Sequence, residues 1–166
     1  MESGLSKLSG KVLTLMVPAG TLPAHMTPNR ILPDLQCSLL CDDVRQEASG
    51  NLILLGVIGL IRVPGVPIVA PKLCVINRWT AGVGQFTEQV RIIGPDGSTV
   101  LRKSSAKLAL PDPVQNVTNV SVFGQLEFPT GGVYYVEVLV DDVMKLRYPV
   151  PVVIVPQPGA PAAPAA

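Results

Sequence analysis

Alternation of apolar and polar side chains with a period of two residues is the feature that most constrains the fold of this chain. It is clearest over residues 117–128. One face carries Val120, Val122, Leu126 and Phe128, and the opposite face carries Asn119, Ser121, Gln125 and Glu127. Because successive side chains of a strand point to opposite faces of a sheet, the segment is predicted to be a β-strand.

Seven further segments show strand patterns separated by glycine, proline and other turn residues. They are residues 36–44, 51–63, 72–80, 86–93, 98–103, 133–140 and 144–155. No helical pattern of about 10–15 residues lies between them, which excludes folds that alternate strands and helices. The sequence therefore predicts an all-β protein, an antiparallel β-sandwich of about eight strands.

Segment 51–63 differs from the others because it is apolar on both faces. Such a run is typical of a strand that is covered on both sides, so we expect it to be central in its sheet.

The chain of 166 residues has the length of one domain. Residues 1–35 contain several prolines and are interpreted as an extension, partly irregular, that precedes the domain. Residues 36–156 form the predicted sandwich domain. Residues 157–166 are a Pro/Ala tail that is expected to be disordered, because it has little apolar bulk to bury.

Composition excludes several classes of protein. Thirteen basic and twelve acidic residues are scattered along the chain, so no basic patch for nucleic acid is expected. The apolar stretch 52–76 contains Arg62, Lys72 and three prolines, and is therefore not predicted to span a membrane. An odd number of cysteines without an export signal favours free thiols in a reducing compartment, which predicts a cytoplasmic location.

No known catalytic or cofactor-binding motif is present, and the single histidine, His25, lies in the extension. We therefore expect no enzymatic activity, no catalytic residues and no cofactor. The leading hypothesis is a non-enzymatic module for protein interaction or self-association, because a small domain with 48% hydrophobic residues has excess apolar surface to cover.

Several segments together resemble an uncharacterised bacterial family of unknown function. They are residues 38–45 (SLLCDDVR), 51–57 (NLILLGV), 71–79 (PKLCVINRW), 91–97 (RIIGPDG) and 132–138 (GVYYVEV). The resemblance covers residues 36–155. It implies a small sandwich of immunoglobulin-like or C2-like type, and it implies no activity.

Two acidic pairs and three cysteines are the candidates for metal chemistry. Asp42, Asp43, Asp141 and Asp142 stand at predicted strand ends and are weak candidates for calcium, the alternative function being a calcium- or small-ligand-binding C2-like domain. The simpler interpretation of these residues is turn chemistry. Cys37, Cys41 and Cys74 lack the second pair that a zinc site needs, and we interpret them as packing residues.

The candidate interaction residues are apolar or aromatic. Val63, Val66, Ile68 and Val69 belong to or flank the proline-rich connection 64–71, and Trp79 is the only tryptophan. The four aliphatic residues either cover a sheet edge or meet a partner. Trp79 either anchors a binding surface or fills the core, of which the core is favoured.

Overall fold

The prediction of an all-β protein is confirmed. A computed structural model describes residues 12–15 and 30–155, and these contain ten strands and no helix. The strands are β1 (Val12–Leu15), β2 (Asp34–Gln46), β3 (Leu52–Val57), β4 (Ile61–Val63), β5 (Ile68–Thr80), β6 (Gly84–Ile93), β7 (Val100–Leu110), β8 (Val117–Phe128), β9 (Gly132–Val140) and β10 (Val143–Ile154). Two more strands are present than the eight predicted, namely β1 in the extension and β4, which is split from segment 51–63.

The strands form two five-stranded sheets. Sheet one has the order β1-β8-β5-β2-β3, and sheet two has the order β4-β10-β9-β6-β7. Neighbouring strands are antiparallel, except that β4 runs parallel to β10.

The turn between β6 and β7 shows how local sequence sets the hairpins. Asp96 accepts hydrogen bonds from the backbone N–H groups of Ser98 and Thr99, at 3.1 and 2.9 Å, and from both hydroxyl groups. These donors lower the pKa of the Asp96 carboxyl to about 2. Gly97 has a φ of 77°, a conformation that glycine adopts without steric cost. The turn at residues 94–97 therefore leads directly into the β6–β7 pairing.

The main core lies between the two sheets and combines residues from both. Sheet one contributes Trp79 and Phe128, which are fully buried, and sheet two contributes Tyr134. The rings of Phe128 and Tyr134 meet edge to face with their centroids 5.0 Å apart. This aromatic contact joins the sheets, and such pairs stabilise a core beyond the area that they bury.

The predicted faces of β8 are correct only for its first half, and both faces of this strand are covered. Asn119 and Ser121, which belong to the predicted polar face, are buried, and Val120 on the opposite face is buried too. Gln125 has a φ of 50°, and beyond it the alternation changes phase, so that Leu126 and Phe128 follow Phe123 into the main core. A two-residue period identifies a strand. When both faces are covered, it does not show which face meets the main core.

The prediction of a central strand at residues 51–63 is also wrong. The chain leaves sheet one after β3 and enters sheet two at β4, and each strand is the outermost of its sheet. The apolar character of both faces therefore does not come from a central position in the sheet. In the part of the chain that the structure describes, no helix is long and apolar enough to cross a membrane.

Part of the predicted extension pairs with the domain. β1 lies antiparallel to β8, with Leu13 opposite Val120, and Ile31 forms a bridge with Val83. The predicted disordered tail, residues 157–166, lies outside the described residues.

Candidate functional site

A small apolar cluster on the outer face of sheet one supports the β2–β3 hairpin. Its buried members are Cys41, Cys74, Ile76 and Val120, and Val44, Leu52, Leu54 and Val122 pack against them. We call it the outer cluster. It is separate from the main core, and it covers the face of sheet one that points away from sheet two. Leu52 and Leu54 of β3 bury apolar surface there, which holds the hairpin against this cluster.

One side of β3 is apolar because it packs against the outer cluster. The rest of its surface is apolar as well. Ile53 is 41% exposed and Val57 is 60% exposed. Within the described chain, β3 pairs only with β2, so the backbone N–H and C=O groups along its other edge have no strand to bond. We call residues 52–57 with this free backbone the β3 edge.

A groove of about 530 Å³ adjoins the β3 edge on the outer face. Leu39, Leu52, Leu54 and Ile76 form its apolar wall. Arg78, Asn116 and Thr118 form the polar end, where the Arg78 guanidinium donates to Asn116 Oδ1 through Nη2 at 2.7 Å. The groove extends the apolar surface of the edge into the sheet, and its one cation already has a hydrogen-bond acceptor.

Two of the predicted interaction residues are inside the protein. Trp79 has no exposed surface, and its Nε1–H donates to Glu88 Oε2 at 2.9 Å. Val63 is buried in the main core as part of β4. Trp79 therefore fills the core, which was the favoured alternative, and Val63 is wrong as an interaction candidate, because both side chains point between the sheets, where a partner has no access.

The proline-rich connection is folded onto the domain. Val66 and Ile68 are half-buried and pack against the main core, and Ile68 already belongs to β5. Val69 is 46% exposed opposite Glu127 of β8. Of the five candidates only Val69 offers a largely exposed apolar side chain, and it lies apart from the β3 edge.

The two acidic pairs do not come together. Asp43 makes ion pairs with Lys72 and Arg45 on sheet one, and Lys72 lowers the pKa of its carboxyl. Asp141, in the β9–β10 turn, is paired with Arg30 and accepts a hydrogen bond from the Thr87 N–H at 2.8 Å. Among residues 30–155, no three His, Cys, Asp or Glu side chains are grouped so that they could hold a metal ion. The carboxylates of Asp43 and Asp141 already have cationic and N–H partners, and Asp142 accepts a hydrogen bond from the Gln89 amide at 2.8 Å.

Cys41 and Cys74 are directly opposite each other on β2 and β5. Both are buried free thiols, whereas Cys37 is exposed. Burial raises the pKa of Cys41 to about 11 and also raises that of Cys74. Both groups are therefore protonated near neutral pH, which makes them packing residues rather than nucleophiles.

Glu88 is a buried carboxylate that sequence reasoning missed. It is 1% exposed on β6 and points across the main core toward sheet one. Asn77 and Asn119 each donate an amide N–H to it at 2.5 Å, and Trp79 donates the third hydrogen bond. We call these four residues the Glu88 cluster. The signal was present in the sequence, since the alternation in β6 places Glu88 between the inward residues Phe86 and Val90.

Burial raises the pKa of Glu88, and the three donors offset this only in part. An acid with a raised pKa binds its proton more tightly in the folded state. Its contribution to stability is therefore fully present below the unfolded pKa, near 4.5, and is lost as the pH rises through the folded pKa.

We predict that Glu88→Gln changes this pH dependence. The glutamine keeps one acceptor oxygen. Its amide can donate to the side-chain Oδ1 atoms of Asn77 and Asn119, which have no hydrogen-bond partner among the described residues. Urea unfolding of both proteins between pH 4 and pH 8 is the measurement. Relative to the variant, the wild type is expected to lose stability as the pH rises above about 4.5, by about 1.4 kcal/mol per unit of pKa difference. A difference in the free energy of unfolding between wild type and variant that does not change with pH would contradict the role given to Glu88.

Comparison with known proteins decides the family. A family model described as "Family of unknown function (DUF6941)" matches residues 36–153. The chain belongs to this family. The predicted resemblance to a family of unknown function is thereby confirmed, over nearly the same residues as predicted.

Searching the curated proteins finds no match to the chain. The DUF6941 domain spans most of β2 to most of β10 and includes the β3 edge, the groove and the Glu88 cluster. β1 lies outside the matched residues.

Proposed function

We propose that the chain is a non-catalytic protein-interaction module that binds its partner through the β3 edge. The observation that carries this proposal is an apolar edge strand with free backbone groups and no protecting charge or proline between Leu52 and Val57. Natural sheets protect such edges, because an unprotected one pairs with another chain.

The outermost strands of sheet two support this choice, since both are protected. β7 carries exposed Arg102, Lys103 and Lys107, and charged side chains on an edge oppose strand pairing. β4 has only three residues and is therefore too short to be a template. β3 is longer than β4, and its exposed side chains are apolar.

The adjoining groove increases the surface that a partner could bury. Its apolar wall continues from Leu52 and Leu54 to Leu39, which is 40% exposed. A partner strand added to β3 would lie beside this wall, so backbone pairing would supply affinity and side chains in the groove would supply specificity.

For the fold we infer an immunoglobulin-like β-sandwich. Three strands of one sheet (β2, β5, β8) and four of the other (β6, β7, β9, β10) follow the strand order A-B-E and C′-C-F-G of that architecture. Tyr134 supports the assignment, because its hydroxyl donates to Thr130 O at 2.7 Å near the start of β9, as in a tyrosine corner.

For the setting we propose a reducing, cytoplasmic compartment of a bacterium. The three free thiols support it, in particular Cys41 and Cys74, which are strand partners and remain unlinked.

The interaction is tested by placing a charge on the edge. The full chain is immobilised, and the partner protein that it captures from a lysate of its native cell is measured. Ile53→Lys is expected to abolish this capture, because the lysine is brought into an apolar interface. Val100→Lys is the matched control, since Val100 is 47% exposed on the protected edge strand β7. We expect this control to bind like the wild type. Equal binding by all three proteins would overturn the proposal.

A further inference from the structure

The β3 edge is complementary to a second copy of itself. Residues 51–60 contain no charged side chain, so an antiparallel pairing of two such strands brings no like charges opposite each other. Building on the proposed function, we propose that β3 of one copy pairs antiparallel with β3 of a second copy about a two-fold axis. The two copies of sheet one then form one continuous sheet of ten strands.

The exposed side chains indicate the register. In an antiparallel pairing centred on Leu55, Ile53 of each copy lies opposite Val57 of the other. These are the two most exposed side chains of β3, at 41% and 60%. The register therefore covers both with apolar surface and leaves Leu55 opposite its own counterpart. Contacts of this kind are isologous and close after two copies, which limits assembly to a dimer.

The size of the contact sets the expected affinity. A strand of six residues offers less area than a stable interface buries, which is about 800 Å² on each partner. The groove beside Leu52 and Leu54 adds surface for side chains of the second copy. We therefore expect a dissociation constant in the micromolar range, about 1–100 µM.

Sedimentation equilibrium of the full chain between about 1 and 200 µM is the first measurement. The mass is expected to rise from 17.5 kDa toward twice that value as the concentration increases. Ile53→Lys and Val57→Glu, each alone, are expected to weaken the dimer by about tenfold or more, because an unpaired charge is then buried. Circular dichroism confirms that each variant keeps its strands.

A mixture of the two variants tests the register. Ile53→Lys copies mixed with Val57→Glu copies place the lysine opposite the glutamate in the proposed pairing, so the dimer is expected to re-form at salt concentrations that do not screen the pair. The matched control mixes Ile53→Lys with Ile53→Glu, which places each charge opposite a valine. This second mixture is expected to stay monomeric.

Three outcomes would overturn the proposed pairing of β3 with β3. A wild type of constant 17.5 kDa mass that still captures another protein through Ile53 leaves the proposed function intact but removes the self-pairing. A dimer that Ile53→Lys does not weaken shows that β3 is not the dimer interface, which removes the self-pairing and leaves the proposed function to the partner-binding test. Equal recovery in both mixtures shows a non-specific charge effect and rejects the register.

Discussion

Replacing Glu88 by alanine is expected to lower the free energy of unfolding by about 3 kcal/mol. The substitution removes the acceptor for three buried donors, on Asn77, Trp79 and Asn119. A buried donor left without an acceptor costs about 1–3 kcal/mol. The summed loss is reduced because the cost of burying the carboxyl group disappears with it. Urea unfolding followed by circular dichroism measures the change, with the midpoint compared at equal slope.

Glu127→Ala is the matched control, because Glu127 is exposed on β8 and makes no hydrogen bond or ion pair among the described residues. It removes the same side chain from a strand of similar length, and its expected effect is within about 0.5 kcal/mol. Equal midpoints for Glu88→Ala and Glu127→Ala would show that the cluster does not stabilise the fold.

The Glu88 cluster illustrates a limit of sequence reasoning. The inward position of Glu88 follows from the alternation in β6, but a buried acid without a partner is costly. Its partners lie on the opposite sheet, at positions 77, 79 and 119, and no local pattern places these three near residue 88. The inward position of Glu88 is explained only by the pairing of β5 with β8, which places Asn77 opposite Asn119.

The strands themselves were predictable because their signals are local. Segment 117–128 coincides with β8, and the turn at residues 94–97 leads into the β6–β7 hairpin between two predicted strand segments. Each of these features depends on residues that are close in sequence, namely the two-residue period or a Pro-Asp-Gly turn.

The position of a strand within its sheet was not predictable in the same way. The run 51–63 was expected at the centre because it is apolar on both faces, yet β3 and β4 are edge strands of different sheets. Part of its apolar surface is covered by the outer cluster, and part, at Ile53 and Val57, stays exposed. The apolar pattern therefore does not report burial alone, and the exposed apolar surface that remains at Ile53 and Val57 identifies the candidate site.

The contact between Phe128 and Tyr134 gives the second large effect. Tyr134→Ala is expected to lower the free energy of unfolding by about 3–5 kcal/mol, the usual cost of truncating a buried aromatic side chain. The ring is 1% exposed and packs against Phe128 across the two sheets. Its hydroxyl also donates to Thr130 O, which fixes the connection between β8 and β9. Urea unfolding is again the measurement.

Two further substitutions separate packing from the hydrogen bond. Tyr134→Phe keeps the ring and is expected to cost only about 1 kcal/mol, the net value of one hydrogen bond. Tyr135→Ala is the neighbouring control, because Tyr135 is half-buried on the other face and stacks with the Arg147 guanidinium at 4.3 Å. Its expected cost is also about 1 kcal/mol, in line with a partly exposed cation–π contact. If Tyr134→Ala cost no more than Tyr135→Ala, the aromatic contact would not be what holds sheet one against sheet two.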